Sequence, residues 1–193
     1  FGEFFNNQIE NAGTVVLSRT DITDTAKIQK DVEMIREKNP KAAIVTTPLA
    51  ELGGSQLLEI IEKRDTMLDD LLEEVRESHH HHDDDDDDCC CGHDHDHDAD
   101  EVFTSWGKET TRKYTEDELN AALTALGDVT LGTVLRAKGI VPCADGGEWL
   151  HFDYVPGAPE IRRGTADYTG RLCVIGSELD EERIAALFGV NEK

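Results

Sequence analysis

The feature that most constrains this chain is an abrupt change of character at residues 79–100: four His, six Asp, three Cys, Gly92, then alternating His and Asp to Asp98, followed by Ala99 and Asp100. Apart from the cysteines and Ala99, nothing in the stretch can be buried. Its ordering entropy is therefore not offset, and it is expected to be a disordered, mobile linker unless something binds it. The linker leaves residues 1–78 and 101–193 to build their cores separately. With 193 residues and 38% hydrophobic content, the chain can form one sizeable core or two small ones.

The front segment alternates strand and helix signals. Thr14-Val15-Val16-Leu17 is a short β-branched run, and Ala26, Ile28, Val32 and Ile35 then follow helical spacing until Asn39-Pro40 stops it. Ala43-Ile44-Val45-Thr46-Thr47 reads as a second buried strand. After Gly53-Gly54, apolar residues at Leu57, Ile60, Ile61, Leu68, Leu71, Leu72 and Val75 predict one long amphipathic helix to about Glu77. The acidic residues on it, Glu59, Glu62, Asp69, Asp70, Glu73 and Glu74, read as a solvated face. Two such units imply the edge of a parallel sheet. Two strands cannot close that kind of core, so residues 1–78 are expected to be the α/β tail of a larger doubly wound domain, in a chain that begins mid-protein.

The rear segment carries its own signals. Thr115-Glu116-Asp117-Glu118 has capping-box spacing, and Leu119, Ala122, Leu123 and Leu126 mark a helical face ending at Gly127. Strand-like runs follow around Thr133–Val141, Glu148–Val155 and Arg171–Gly176, separated by turns such as Pro156-Gly157. Asp180 can cap a last helix, with Leu179 stapling onto Ile184 and Gly189 ending it. The expected fold is a small α+β domain with a mostly antiparallel sheet and helices on one face.

A balance of 42 acidic against 19 basic residues, formally −23, opposes nucleic acid and anionic membranes as partners and favours cations or basic protein surfaces. No apolar run approaches the ~20 residues of a membrane helix. Five cysteines, three of them adjacent, do not make a disulfide framework and suggest a reducing, cytoplasmic setting.

Particular stretches resemble a known family. Gln8-Ile9-Glu10-Asn11-Ala12, a strand, and then Leu17-Ser18-Arg19-Thr20-Asp21 are similar to the fourth nucleotide-binding motif of CobW-type P-loop GTPases, which reads Asn-Lys-x-Asp in that family. Leu135-Arg136-Ala137-Lys138-Gly139, Trp149 with His151, and Arg171-Leu172-Cys173-Val174-Ile175-Gly176 with Leu179-Asp180 resemble its C-terminal domain. The His-rich linker sits where the family has one. The resemblance implies a GTP-dependent metallochaperone or metalloenzyme maturation factor, linked to metal homeostasis and cobalamin biosynthesis, that handles zinc or cobalt and docks a client metalloprotein. It implies GTP and Mg²⁺ as ligands of the full-length parent only. The family's Gly-rich phosphate loop and Cys-x-Cys-Cys motif are not found in this sequence, and Cys89-Cys90-Cys91 is not that motif, so this stretch of chain is expected to be inert as a GTPase.

On the same resemblance Asp21 would accept the two neighbouring N–H donors of guanine, a task an acceptor-only carboxylate can perform. Arg19 would stack on the base where the family has Lys. Ser18 stands in place of Asn, losing an amide that donates and accepts at once. The simpler reading of Ser18 and Asp21 is that they cap the following helix.

His79, His80, His81, His82, Cys89, Cys90, Cys91, His93, His95 and His97 are the candidate metal ligands. Imidazoles and thiols at this density suit Zn²⁺, Co²⁺ or another borderline transition metal, in several exchangeable sites rather than one rigid one. Alternation over His93–Asp98 would set imidazoles on one side of an extended chain, with carboxylates easing the approach of a dication. The thiols must deprotonate to bind, so affinity should fall on acidification. The alternatives are a merely solvated acidic linker or an expression tag; the continuation into Asp, Cys and further His argues against a tag. His151 reads as a structural strand residue, and Cys143 and Cys173 as core. For the whole chain, the competing function is a non-enzymatic transition-metal buffer or protein-interaction module with a vestigial nucleotide site.

Overall fold

The two β-branched runs of the front segment form a parallel pair in the computed structural model, which describes residues 2–62, 67–79 and 103–190. The expected mobile linker lies outside the described residues, as do nine of its ten candidate ligands. Strand β1 (Thr14–Val16) pairs with β2 (Ala43–Val45) in the register Thr14 to Ala43 and Val16 to Val45. Helix α1 (Gly2–Glu10) precedes them, and α2 (Thr25–Lys38) connects them. Ile28, Val32 and Ile35 of α2 pack on Ile44, with Ile9, Val15 and Leu17 around them. Asn39 ends α2 and is 6% exposed. Its Nδ2 donates to the carbonyls of Ile9 (2.8 Å) and Ala12 (2.9 Å), and its Oδ1 accepts from the amides of Lys41 (3.1 Å) and Ala42 (3.0 Å). A residue read from sequence as a stop signal therefore also ties the end of α1 to the entry of β2.

The single helix expected after Gly54 is described as two, α3 (Gly54–Glu62) and α4 (Met67–His79), with residues 63–66 outside the description. Leu57 and Ile60 of α3 pack on Val45, Leu52 and Tyr168, while Ile61, expected on the buried face, is 55% exposed.

The rear segment is a five-stranded, fully antiparallel sheet. It comprises β3 (Thr104–Thr110), β4 (Thr133–Pro142), β5 (Trp149–Val155), β6 (Ala158–Gly164) and β7 (Gly170–Ser177), in the spatial order β3-β7-β4-β5-β6. Helix α5 (Glu116–Ala125) starts in the expected capping box: Thr115 Oγ1 accepts from the Glu118 amide at 3.2 Å, and the Glu118 carboxylate accepts from the Thr115 amide at 3.0 Å. Helix α6 (Glu181–Phe188) is capped by Asp180, which accepts from the Arg183 amide at 3.0 Å, and Gly189 ends it. Leu119, Leu123, Ile184 and Phe188 of these two helices pack on Trp106, Val134, Ala137, Leu150, Phe152, Leu172 and Val174.

The domain's own helices α5 and α6 share one face, as the sequence suggested, but the sheet is covered on its other face as well, by a helix of the front segment. Leu71 and Val75 of α4 pack on the opposite face, against Cys173 and Ile175. Burial on both faces explains why β7 reads Leu172-Cys173-Val174-Ile175 without alternation. A bulge in β4, where the register shifts between Val134 and Arg136, serves the same two-sided packing. Val134 and Ala137 point toward α5 and α6, while Leu135 packs with the α4 cluster and Arg136 pairs with Glu74 of α4 at 3.1 Å. Lys138 also reaches Glu74, at 2.9 Å, so Glu74 stays exposed to solvent while pairing with the sheet.

Candidate functional site

In an open parallel sheet, ligands bind beyond the carboxyl ends of the strands, where connecting loops diverge. Residues 17–24 follow β1, and Thr46-Thr47-Pro48 follow β2. Between these loops and the antiparallel sheet lies a cleft of about 390 Å³. Thr20, Asp21, Thr46 and Thr47 line it on one side, and Lys113, Gly146, Gly147, Glu148 and Trp149 on the other.

The loop after β1 is held by its own backbone. Arg19 sits in the left-handed region at φ 63, and its carbonyl accepts from Thr23 Oγ1 at 2.8 Å. The turn carries Ser18, Arg19 and Asp21 together, all three exposed, and Asp21 lines the cleft. Neither Ser18 nor Asp21 caps α2, contrary to the simpler expectation. That role belongs to Asp24, whose side chain accepts from the Ala26 amide at 2.9 Å from an extended backbone. Thr20 Oγ1 is buried with no hydrogen-bond partner among the described residues, leaving a hydroxyl in the cleft wall available to a ligand.

The opposite wall is built by the turn from β4 to β5. Gly146 and Gly147 have φ of 79 and 87, and no atom lies within 4 Å of where their Cβ atoms would be. Two successive left-handed residues make the turn tight while keeping this side of the cleft open. Thr46 and Thr47 are 7% and 2% exposed, and their amides donate to the Tyr168 carbonyl at 2.8 and 3.0 Å. Thr46 Oγ1 bonds Thr169 Oγ1 at 2.9 Å, and Thr47 Oγ1 donates to the Asp167 carbonyl. Further along the same junction, Arg36 makes a two-pronged pair with Glu109, at 2.7 Å from Nε and 2.5 Å from Nη2. The junction is largely polar, with Val45, Leu52 and Tyr168 as its small apolar centre.

Of the candidate metal ligands only His79 falls among the described residues, as the last residue of α4. The described residues contain no group of three or more His, Cys, Asp or Glu placed to hold a metal ion. Cys143 and Cys173 are buried in two different cores, as expected. His151 stands on β5 with its Nε2 2.9 Å from the Thr165 carbonyl, a structural contact.

Residues 103–190 match the model of the cobalamin synthesis protein cobW C-terminal domain. Two solved structures are similar to the chain at 18% identity: the Zn(II)-bound YjiA GTPase from E. coli, with a TM-score of 0.41, and a Zn(II)-bound triple mutant of YjiA, with a TM-score of 0.42. Each alignment covers 97% of this chain and 54% of the other, so the chain spans about half the length of those proteins. Comparison with curated proteins gave no significant match. Among the described residues no helix is long and apolar enough to cross a membrane.

Proposed function

We propose that this chain is the C-terminal part of a GTP-dependent metallochaperone or metalloenzyme maturation factor whose His/Cys/Asp tract collects zinc or cobalt as cargo; the match of residues 103–190 to the cobW C-terminal domain model supports this reading. The observation that carries the proposal is adjacency: the tract ends at Asp100 and the matched domain begins at residue 103. Imidazoles and thiolates within one short stretch keep several dications at high local concentration beside a folded domain that can dock a client metalloprotein. Asp21 is the guanine contact of this reading. Its place at the carboxyl end of β1, beside the unpartnered Thr20 hydroxyl, suits a base with hydrogen-bonding edges. Arg19 and Ser18 flank it on the same turn.

Cobalt reports the proposed ligands directly, because thiolate coordination gives Co²⁺ intense near-ultraviolet absorption. The intact chain should develop that absorption at neutral pH and lose it on acidification, whereas a variant lacking residues 79–98 should not develop it. Equal spectra from the two proteins would refute the assignment. A metal buffer with a vestigial nucleotide site is the second reading, favoured by Ser18 in the place of Asn. It predicts the same cobalt spectra but no response of the Asp21 turn to guanosine.

A further inference from the structure

The cleft at the carboxyl ends of β1 and β2 does not belong to the parallel pair alone. Lys113, Glu148 and Trp149, and the Gly146-Gly147 turn, all come from the antiparallel domain. Even the parallel-pair wall depends on that domain, since the amides and hydroxyls of Thr46 and Thr47 are held by the backbone of Asp167 and Tyr168 and the hydroxyl of Thr169. All three threonines are almost fully buried, so these are specified contacts rather than solvent-exchanged ones.

From this arrangement we infer that the antiparallel domain is a structural part of the nucleotide-base site: it supplies the outer wall and positions Thr46 and Thr47, so base binding and domain docking are coupled. The inference rests on Asp21 being a base contact and adds to it the regulation of that site. A base seated between Asp21 and the wall of Lys113 and Glu148 touches both units and favours the docked arrangement. Linkage then requires that docking raise affinity for the base by the same factor that the base strengthens docking. Lys113 offers a donor to a base carbonyl and Glu148 an acceptor, so the wall can add to selectivity as well as closure. Thr169 acts as a positioning residue, working through Thr46.

Guanosine is the probe, with adenosine as control, added to the full isotope-labelled chain and followed by the amide resonances. The inference predicts guanosine-dependent shifts at Asp21, Thr46 and Thr47 and also at Lys113, Gly146 and Gly147. Thr169→Val should weaken binding roughly three- to tenfold, the worth of one hydrogen bond, while the remaining resonances keep their positions, and Thr169→Ser should restore it. Shifts confined to residues 18–21 and 46–47, with affinity unchanged in Thr169→Val, would overturn the composite site and leave the Asp21 reading standing. If the Asp21 turn does not respond, or responds equally to adenosine, the base-contact reading fails and the inference fails with it.

Discussion

Single side chains decide how the domain ends are fastened. Tyr114 is 2% exposed and donates to the Phe188 carbonyl at 2.7 Å, while Arg112 reaches the same carbonyl at 2.9 Å and lies over the Tyr114 ring. A cation at the carboxyl end of α6 also suits the helix dipole. Burial pushes the Tyr114 hydroxyl from 10.0 up to about 12, against a smaller lowering effect of Arg112. Because the folded value lies above the unfolded one, the neutral phenol stabilises the fold fully below pH 10, and this contribution is lost as pH rises from about 10 through 12, on the order of 2–3 kcal/mol. Tyr114→Phe should cost only about 0.5–1.5 kcal/mol at pH 7, since Arg112 still serves the carbonyl, and should flatten that alkaline decline in denaturant titrations. An unchanged alkaline limb would contradict the assignment. At Asn39, replacement by Ala removes the hydrogen bonds to the carbonyls of Ile9, Glu10 and Ala12 and leaves the amides of Lys41 and Ala42 without their acceptor, and equilibrium unfolding should register a loss of about 2–3 kcal/mol. A loss under about 0.5 kcal/mol would mean that water replaces the amide without penalty.

At the scale of elements, what was legible in the sequence follows from what each element buries. Helices α2, α5 and α6 showed themselves because each buries one stripe and carries local end signals in Asn39-Pro40, Thr115 with Glu118, and Asp180 with Gly189. Strands β4, β5 and β7 are rich in buried apolar residues and were also readable. Strands β3 and β6 were not, and both are sheet edges. Gly107 interrupts the first, and Pro159 with Arg162 and Arg163 breaks the second, as edge strands tolerate and central strands do not. The cap at Asp24 was missed because Ser18, Asp21 and Asp24 are all chemically able to cap, and only the left-handed turn at Arg19 determines which one meets the helix. Helix α4 was legible as a helix but not as a partner of the antiparallel sheet, since a hydrophobic stripe does not name the surface it meets. Leu71 is fully buried there, so Leu71→Ala should lower unfolding free energy by about 2–5 kcal/mol and speed amide exchange across residues 71–75 before it affects Val174. A cost below about 1 kcal/mol would show that α4 contributes little to the fold.

For the whole molecule, the described parts form a parallel pair joined to an antiparallel domain by a mostly polar junction, with α4 reaching across to the far face of that domain. Helix α4 ends at His79, where the ligand-rich tract begins, and the chain re-enters the described structure at Phe103, just before β3, the strand whose Glu109 meets Arg36. The described segments on either side of residues 80–102, α4 and the residues entering β3, thus meet on one sheet. Calorimetric titration of Zn²⁺ into the intact chain and into the chain lacking residues 79–98, at pH 7 and again at pH 5.5, tests this account most directly. It predicts more than one bound zinc per intact chain at neutral pH, a marked weakening at the lower pH as imidazoles and thiols hold their protons, and little binding by the deletion. Undiminished zinc uptake by the shortened protein, or none by the intact one, would contradict it.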